Sequence, residues 1–191
     1  RTKVQNDLIN TLQETLHARS RREEEHSAAV QDLCCKLAHA LGVSEAELNT
    51  ISRAAYLHDI GKISLSEELL HKEQFTSDEY ERMKQHPVVG FRILTLFDDT
   101  LDLAEAVYSH HERWDGSGYP RGLKGEQIPY LSRIMAVVET YDRIFNRTEL
   151  PLQERSAHAL KEILEASGSQ FDPAVAQAFL EMMKQEQSKE R

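Results

Sequence analysis

The chain has 191 residues, of which 40% are hydrophobic and 29% charged, and its formal net charge is −9. This length and composition suit one globular domain with a sizeable core, and the negative charge argues against binding DNA by charge. No apolar stretch reaches the roughly 18 residues of a membrane span, and no signal peptide is recognisable. We therefore predict a cytoplasmic protein with no membrane span in this segment. Because the chain begins at Arg1, we expect it to be a fragment of a longer protein.

Apolar residues recur at helical spacing along most of the chain, which predicts an all-α fold. The predicted helices cover about residues 4–16, 30–41, 44–61, 76–83, 87–97, 101–111, 132–141, 157–166 and 172 onward. Ser44 with Glu47 and Thr76 with Glu79 are typical of capping boxes at helix starts. Residues 115–129 hold four of the eight glycines, which predicts the main loop of the chain.

Six residues of the kinds that bind transition metals recur in separate segments. Five of them lie in three short segments and are His58, Asp59, His86, His110 and His111. Imidazole and carboxylate groups are the ligands of two-metal hydrolase centres, and the two oxygens of Asp59 suit it to bridge the ions. His26, further upstream, is a candidate sixth ligand. Each residue alone has an ordinary alternative as a surface or capping residue, but their combination favours a metal site.

Other side chains near these segments suggest roles in binding a substrate. Lys62 follows the histidine-aspartate pair by about one helical turn, where an ammonium can hold a phosphate oxygen or protonate a leaving group. Trp114 and Tyr119 can stack a nucleobase, or they can pack within the loop. Glu139 and Asp142 share one helix face, where one can ligate a metal, or both can be solvated or support other ligands.

Three segments of the sequence, LHDIGK, MKQHP and HHERWDGSGYPRGLKGEQIP, together with GSQFDP near the end, resemble a known family. The resemblance is to the HD-GYP subgroup of the HD phosphohydrolase superfamily and runs from about Glu25 to Phe179. It implies an all-helical HD-domain bundle with two or three metals, often iron or manganese. It also implies hydrolysis of cyclic di-GMP, a bacterial second messenger, to the linear dinucleotide pGpG or onward to GMP.

The resemblance also implies roles for individual residues. The family's metal-ligand pattern falls on His26, His58, Asp59, His86, His110 and His111. Its lysine falls on Lys62, which we predict to be catalytic together with Asp59, and its signature loop falls on Gly118, Tyr119 and Pro120. We predict a linker helix over residues 1–22 that follows a sensor or receiver domain, the HD-GYP domain over 23–185, and a polar tail over 186–191.

Three positions depart from the family pattern. Arg22 stands four residues before His26, where some members carry a glutamate that recruits a third metal, so we predict two divalent transition metals, iron or manganese. Glu139 replaces the first aspartate of an Asp-x-x-Asp pattern, and we predict that it ligates a metal. The usual Arg-Pro-Tyr is replaced by Arg147-Thr148-Glu149. Arg113, Asp142 and Arg147 are our further candidates for substrate binding, and Arg121, Lys124 and Arg143 also lie close in sequence.

Two functions stay open on the sequence alone. The first is an active phosphodiesterase, and the second is a weak or inactive module that binds cyclic di-GMP or a partner such as a diguanylate cyclase domain. Ile9, Leu12 and Leu16 have the spacing of a coiled-coil seam. We therefore predict a homodimer through the N-terminal helix, with packing of this stripe on its own domain as the alternative.

Overall fold

The computed structural model describes residues 2–147 and 149–191, and α-helices account for most of them. The ten α-helices of this part are α1 (Thr2–Arg19), α2 (Arg21–Ala40), α3 (Glu45–Leu57), α4 (Glu67–His71), α5 (Ser77–Met83), α6 (His86–Thr95), α7 (Leu101–Tyr108), α8 (Tyr130–Phe145), α9 (Leu152–Glu165) and α10 (Pro173–Lys189). Short 3₁₀ helices lie at Ile60–Ser64, Asp98–Thr100 and Gly125–Gln127. Thr148, part of the segment that replaces Arg-Pro-Tyr, lies outside the described residues.

Helix α2 forms the centre of the bundle. It packs against α3 on one side and α8 on another, while α6 packs against α7 and the 3₁₀ helix Ile60–Ser64. Fully buried apolar residues from these helices make one continuous core, with Val30, Leu37, Ile51, Val107 and Val138 among them. Burial of such side chains is the main favourable contribution to folding. The core thereby brings together the helix ends that carry the candidate ligands.

Several helix boundaries differ from the sequence prediction. Helix α2 begins nine residues earlier than predicted, at Arg21, because the Ser20 side chain accepts a hydrogen bond from the Glu23 amide and caps it. Helix α3 ends at Leu57 instead of near Gly61. Ser132 does not cap α8, which starts at Tyr130 after Pro129; its hydroxyl donates to the Ala106 carbonyl instead. The short helix α4 was not predicted.

Helix α1 packs on the rest of the chain. Ile9 and Leu16 are buried, and Leu12 packs partly buried against the core. Leu16 joins Leu65, Leu69 and Leu70 in a second, smaller apolar cluster. The apolar stripe therefore lies on its own domain and is not free to form an intermolecular seam, which leaves dimerisation itself a prediction. The tail predicted over 186–191 is helical through Lys189.

Within the described residues, no helix combines the length and apolar character that a membrane crossing needs.

Candidate metal centre

Three candidate ligands occupy equivalent positions just beyond the ends of helices. His58 directly follows α3, His110 lies two residues beyond α7, and His86 lies three residues beyond α5 and is also the first residue of α6. The last carbonyls of a helix lack an intrahelical partner. In each case the histidine Nδ1–H donates to the carbonyl three residues earlier, at 2.6 Å for His58, 2.7 Å for His86 and 2.5 Å for His110. This contact fixes the ring and leaves the Nε2 lone pair free to bind a metal.

His26 reaches the same place from the second turn of α2. Its Nδ1 lies 2.6 Å from Asp142 Oδ2, and its Nε2 lies 3.1 Å from Nε2 of His58. Asp142 is buried on α8 and therefore orients His26 in the way that carbonyls orient His58, His86 and His110. We predicted Asp142 as a substrate-binding residue; the structure places its Oδ2 on the imidazole.

Asp59 lies at the middle of the cluster, between two sets of imidazole nitrogens. Its Oδ2 is 3.1 Å from His58 Nε2 and 3.5 Å from His26 Nε2, while its Oδ1 is 3.1 Å from His86 Nε2 and 3.8 Å from His110 Nε2. His111 Nε2 in turn lies 3.2 Å from His86 Nε2. The six predicted ligands therefore converge, and each carboxylate oxygen faces one set of histidines.

The donor atoms form two groups that can each hold a metal ion. One group is His26, His58 and Asp59, and the other is Asp59, His86, His110 and His111; within each group the donor atoms lie within 4.8 Å of one another. Both oxygens of Asp59 and Nε2 of His110 are buried without a hydrogen-bond partner among the described residues. Buried polar atoms normally have a partner, so divalent cations fit this site.

Burial and neighbouring charges set the protonation of the cluster. Burial, reinforced by His58 and His86, lowers the pKa of His110 to about 3, which keeps this imidazole neutral and able to bind metal. Burial also opposes a charge on His26, but its contacts with Asp142 and Asp59 outweigh that effect and raise its pKa to about 10. The pKa of Asp59 is held well below its usual value, since His58 and Lys62 outweigh the effect of burial.

Lys62 lies beside this cluster in a pair of short ionic contacts. Its Nζ is 3.0 Å from Glu23 Oε1 and 3.2 Å from Asp59 Oδ2. From the sequence we expected the pKa of Lys62 to be lowered. That expectation is wrong. Burial lowers the pKa of Lys62, but the negative charges of Asp59 and Glu23 outweigh burial, and the pKa is raised. Lys62 is therefore a charged ammonium between two carboxylates.

Arg22 and Glu23 are neighbours at the start of α2, but their side chains point in different directions. Arg22 is exposed, and its guanidinium donates to the Leu70 carbonyl at 3.0 Å, away from the histidines. Glu23, one residue later, is buried and turned toward Lys62. The sequence analysis did not predict this contact between Glu23 and Lys62.

Glu139 lies at the edge of the cluster on α8. Its Oε1 is 3.8 Å from His26 Nε2, and 13% of its side chain is exposed. Burial raises the pKa of this carboxyl, but the positive charges of Arg143 and His26 outweigh that effect and lower it. The residue thus offers a carboxylate on the His26 side of the centre.

The loop after the paired histidines folds back onto them. The Tyr119 ring stacks on His111 with centroids 5.0 Å apart and an angle of 16° between the planes. Gly118 leaves no room for a side chain, since a Cβ there would lie 2.4 Å from the Arg113 nitrogen and 2.6 Å from the His111 carbonyl oxygen. Pro120 follows through a cis peptide bond. The signature loop therefore places the Tyr119 ring on the His111 side of the centre, and Gly118 allows the loop to pack this closely.

Two residues that sequence reasoning missed hold this arrangement together. Glu112 is buried, and its two carboxylate oxygens accept the Arg121 amide at 2.6 Å and the Leu123 amide at 2.9 Å, which ties the loop to the ligand pair. Gly61 packs on the start of α6, where a Cβ would lie 1.9 Å from the His86 carbonyl oxygen. Their only signal in the sequence was adjacency to the ligand segments.

Arg113, Arg147 and Trp114 make their contacts outside the cluster of metal ligands. Arg113 donates to the Ser117 hydroxyl at 2.9 Å within the loop, and Arg147 pairs with Glu162 at 3.6 Å on α9. The Trp114 amide donates to the Gln170 carbonyl at 3.1 Å, and its ring packs against Arg133. Trp114 therefore contacts α8 and the segment before α10, and neither predicted role, base stacking or packing within the loop, is what these contacts show.

Comparison with known proteins identifies the fold and the family. The family model described as HD domain matches residues 3–175 of this chain.

The chain belongs to the HD domain family.

Relatives of this HD domain include a cyclic di-GMP phosphodiesterase of Thermotoga maritima. It is 40% identical over 182 residues, which are 94% of this chain and 49% of the relative. The 3′3′-cGAMP-specific phosphodiesterase 2 of Vibrio cholerae is 32% identical over 178 residues, or 92% of this chain and 34% of the relative. This chain thus spans half or less of the length of these curated relatives.

The HD domain also resembles a solved structure. A cyclic GMP-AMP-specific phosphodiesterase of Vibrio cholerae superposes with a TM-score of 0.71 at 22% identity, over 93% of this chain and 48% of that one. Identity at this level shows the fold alone. The predicted all-α HD-domain fold and the resemblance to the HD-GYP subgroup are both confirmed.

Proposed function

We propose that this HD domain is a metal-dependent phosphodiesterase that hydrolyses cyclic di-GMP to pGpG, GMP or both. One observation carries the proposal: the two oxygens of Asp59 face two separate sets of imidazole nitrogens, each of which can hold one ion. Two ions bridged by a carboxylate suit phosphodiester hydrolysis. The names of the relatives from Thermotoga maritima and Vibrio cholerae support a cyclic dinucleotide as the substrate.

The donor set favours two divalent transition metals, and we propose iron or manganese. A site made mostly of imidazole with one or two carboxylates suits iron, while a larger share of carboxylate favours manganese. When bound, the ions supply Lewis-acid chemistry, which polarises a phosphoryl oxygen and makes water a stronger nucleophile. Asp59 with the five histidines would hold them, and Glu139 would complete the His26 side.

The chain's own residues supply the remaining functions. Lys62 carries a proton and a positive charge beside Asp59 Oδ2, where it can bind a phosphate oxygen or protonate the departing oxygen. Glu23 keeps this ammonium in place at 3.0 Å. Tyr119 stacks on His111 and holds this ring in place. Gly118 and Pro120 shape the loop that positions Tyr119.

A second candidate function is a module that binds the nucleotide or a partner, such as a diguanylate cyclase domain, with little hydrolysis. Two observations favour it. Glu139 replaces the aspartate of the family pattern, and Arg147 is paired with Glu162 on α9 instead of facing the centre. Neither removes any of the six converging ligands, so we place hydrolysis first.

We further propose the cellular setting of this domain. Residues 1–22 would connect to a sensor or receiver domain, residues 23–185 would form the catalytic unit, and residues 186–191 would be a tail. The chain would act in the cytoplasm, where cyclic di-GMP is a messenger, and would form a homodimer. Because α1 packs on the catalytic unit through Ile9 and Leu16, movement of an attached domain would reach the bundle directly.

The test combines metal analysis with a turnover assay on protein purified without oxygen. We expect about two transition-metal ions per chain and release of pGpG or GMP from cyclic di-GMP. The Asp59→Asn variant should lose both metal and turnover. Fully metallated protein that binds cyclic di-GMP at equilibrium but does not hydrolyse it would establish the binding module instead.

A further inference from the structure

The residues of the metal centre differ in their access to solvent, and the more exposed ones mark its opening. The side chains of His58 and His110 are fully buried and that of His86 is 3% exposed. His26, Lys62 and Glu139 are 13 to 16% exposed instead, and His111 is also partly exposed. A substrate must therefore approach past this second set of residues, and groups that border them contact the parts of the substrate that do not react.

The His111 border of this opening carries an ammonium between two tyrosine rings. Tyr119 stacks on His111, and Lys84 Nζ lies 5.3 Å from the centroid of the Tyr119 ring. The same Nζ lies 5.6 Å from the centroid of the Tyr80 ring on α5. Tyr80 is 49% exposed although it is a large aromatic residue.

The ammonium of Lys84 is held only weakly by its acidic neighbour. Its ion pair is with Glu81 at 3.2 Å, and the Glu81 side chain is 67% exposed. Exposed pairs of this kind contribute little to stability, so a substrate can displace Glu81 at small cost. In a chain with a net charge of −9, a cation at the opening also favours the approach of an anionic nucleotide.

We propose that Lys84, Tyr80 and Tyr119 form a subsite for a guanine base of the cyclic dinucleotide. This inference rests on the proposed function and names the base that the site prefers. Aromatic rings stack on any nucleobase, whereas the ammonium has donors and no acceptor. Guanine presents two acceptors, O6 and N7, on one edge, but adenine presents a donor beside its N7. Lys84 therefore favours guanine over adenine.

A contact of Lys84 with phosphate is the competing explanation, and the two tyrosines argue against it. A phosphate gains nothing from two flanking aromatic rings, while a planar base can stack on the Tyr80 ring, since this residue is 49% exposed. The two explanations predict different selectivity. Cyclic di-GMP and cyclic di-AMP share their phosphates and differ only in their bases, so a phosphate contact affects both and a guanine contact affects only cyclic di-GMP.

The test compares both dinucleotides on metal-loaded variants of the full chain. We expect Lys84→Met to lower kcat/KM for cyclic di-GMP about tenfold, the discrimination of one good base contact. The inhibition constant of cyclic di-AMP against this reaction should stay within about twofold of wild type. Lys84→Arg should restore most of the loss, because arginine reads the same guanine edge. Lys161→Met, which removes a 73% exposed lysine on α9, is the matched control.

Two outcomes would overturn the subsite. Equal weakening of both dinucleotides in Lys84→Met would assign the residue to phosphate, and no change in either would show that it does not touch the substrate. If the wild-type protein does not hydrolyse cyclic di-GMP, the proposed function fails, but equilibrium binding of the two dinucleotides to the metal-loaded protein tests the same ratio. Tyr80→Leu should weaken both dinucleotides alike, because stacking does not distinguish the bases.

Discussion

The Lys62 ammonium lies 3.0 Å from Oε1 of Glu23, although the two residues are 39 positions apart. The contact joins the first turn of α2 to the 3₁₀ helix after α3, and it occurs beside Asp59, which we propose to bridge the ions. Because the second oxygen of Glu23 is buried without a partner among the described residues, this carboxylate depends on Lys62 for its charge balance. Lys62 and Glu23 therefore act as a unit.

Replacing Glu23 by glutamine should lower turnover without changing metal content. The amide keeps the shape of the side chain but loses its charge, so it holds Lys62 less firmly. Because a hydrogen bond to a charged group is stronger than one to a neutral group, we expect kcat to fall about tenfold. Elemental analysis and the turnover assay measure the two effects. The exposed Glu24→Gln is the control. Loss of one metal ion from the Glu23 variant would show that Glu23 is a ligand, which would contradict its assignment as the partner of Lys62.

Replacing Lys62 by methionine should leave both metals bound and lower kcat by about 10²-fold, as loss of a positioned acid or electrostatic contact does. The variant should also be less stable, by roughly 3 kcal/mol, because Glu23 becomes a buried charge without its partner. Thermal unfolding checks this cost. Adding Glu23→Gln should recover stability but not turnover. Equal turnover in Lys62→Met and wild type would remove Lys62 from the mechanism.

Replacing Asp59 by asparagine should have the largest effect on metal content of any single ligand change. Only Asp59 belongs to both donor groups, so its loss weakens both ions. We expect fewer than one ion per chain and no measurable turnover. Asp115→Asn, in the exposed part of the loop, should retain both. An Asp59 variant that keeps two ions would show that the carboxylate does not bridge.

Shortening Glu139 to aspartate should raise the rate of hydrolysis. The Glu139 carboxylate already lies 3.8 Å from His26 Nε2. One methylene shifts a carboxylate by roughly 1 Å, and misplacement of that size can cost about 10²-fold in rate. The measurement compares the turnover of Glu139→Asp with that of the wild type. Glu165→Asp, on the exposed face of α9, is the control. A slower variant would mean that the longer side chain is the fitted one.

Replacing Gly118 by alanine should lower turnover and the melting temperature together. The added Cβ would meet the Arg113 nitrogen at 2.4 Å, so the loop that carries Tyr119 must move. Gly42→Ala is an informative comparison, because Gly42 has a φ of 74° but open space around it. It should cost only about 1–2 kcal/mol of backbone strain and keep full turnover. Unchanged turnover in the Gly118 variant would show that the loop tolerates displacement.

The chemistry of the site could be predicted from the sequence because it depends on residue types in short segments. His58-Asp59 and His110-His111 are adjacent pairs, and few purposes other than metal binding need them together. The all-α class followed from apolar spacing, since a helix that buries one face must repeat its apolar residues every three or four positions. Both inferences use only local information.

Contacts between distant segments could not be predicted in this way. Periodicity did not show that Glu23, and not Arg22, turns toward Lys62, because adjacent helix positions differ by about 100° and the docking angle of α2 selects between them. The same holds for Lys84, whose place beside Tyr119 depends on how α5 packs against the loop. The apolar stripe that includes Ile9 and Leu16 could pack on a second copy of the chain or on its own domain. In the structure both residues are buried against their own domain.

By itself, the sequence determined the ligand types, the helical class and the family resemblance, because these depend on residue identity and local spacing. The tertiary structure decided which oxygen of Asp59 faces which histidines and which cations border the opening. It also decided that His58, His86 and His110 each present Nε2 to the centre, since the Nδ1 of each ring is bound to a carbonyl at a helix end. The way the helices pack sets the direction in which each of these helix ends points, and no single segment of the sequence determines that packing.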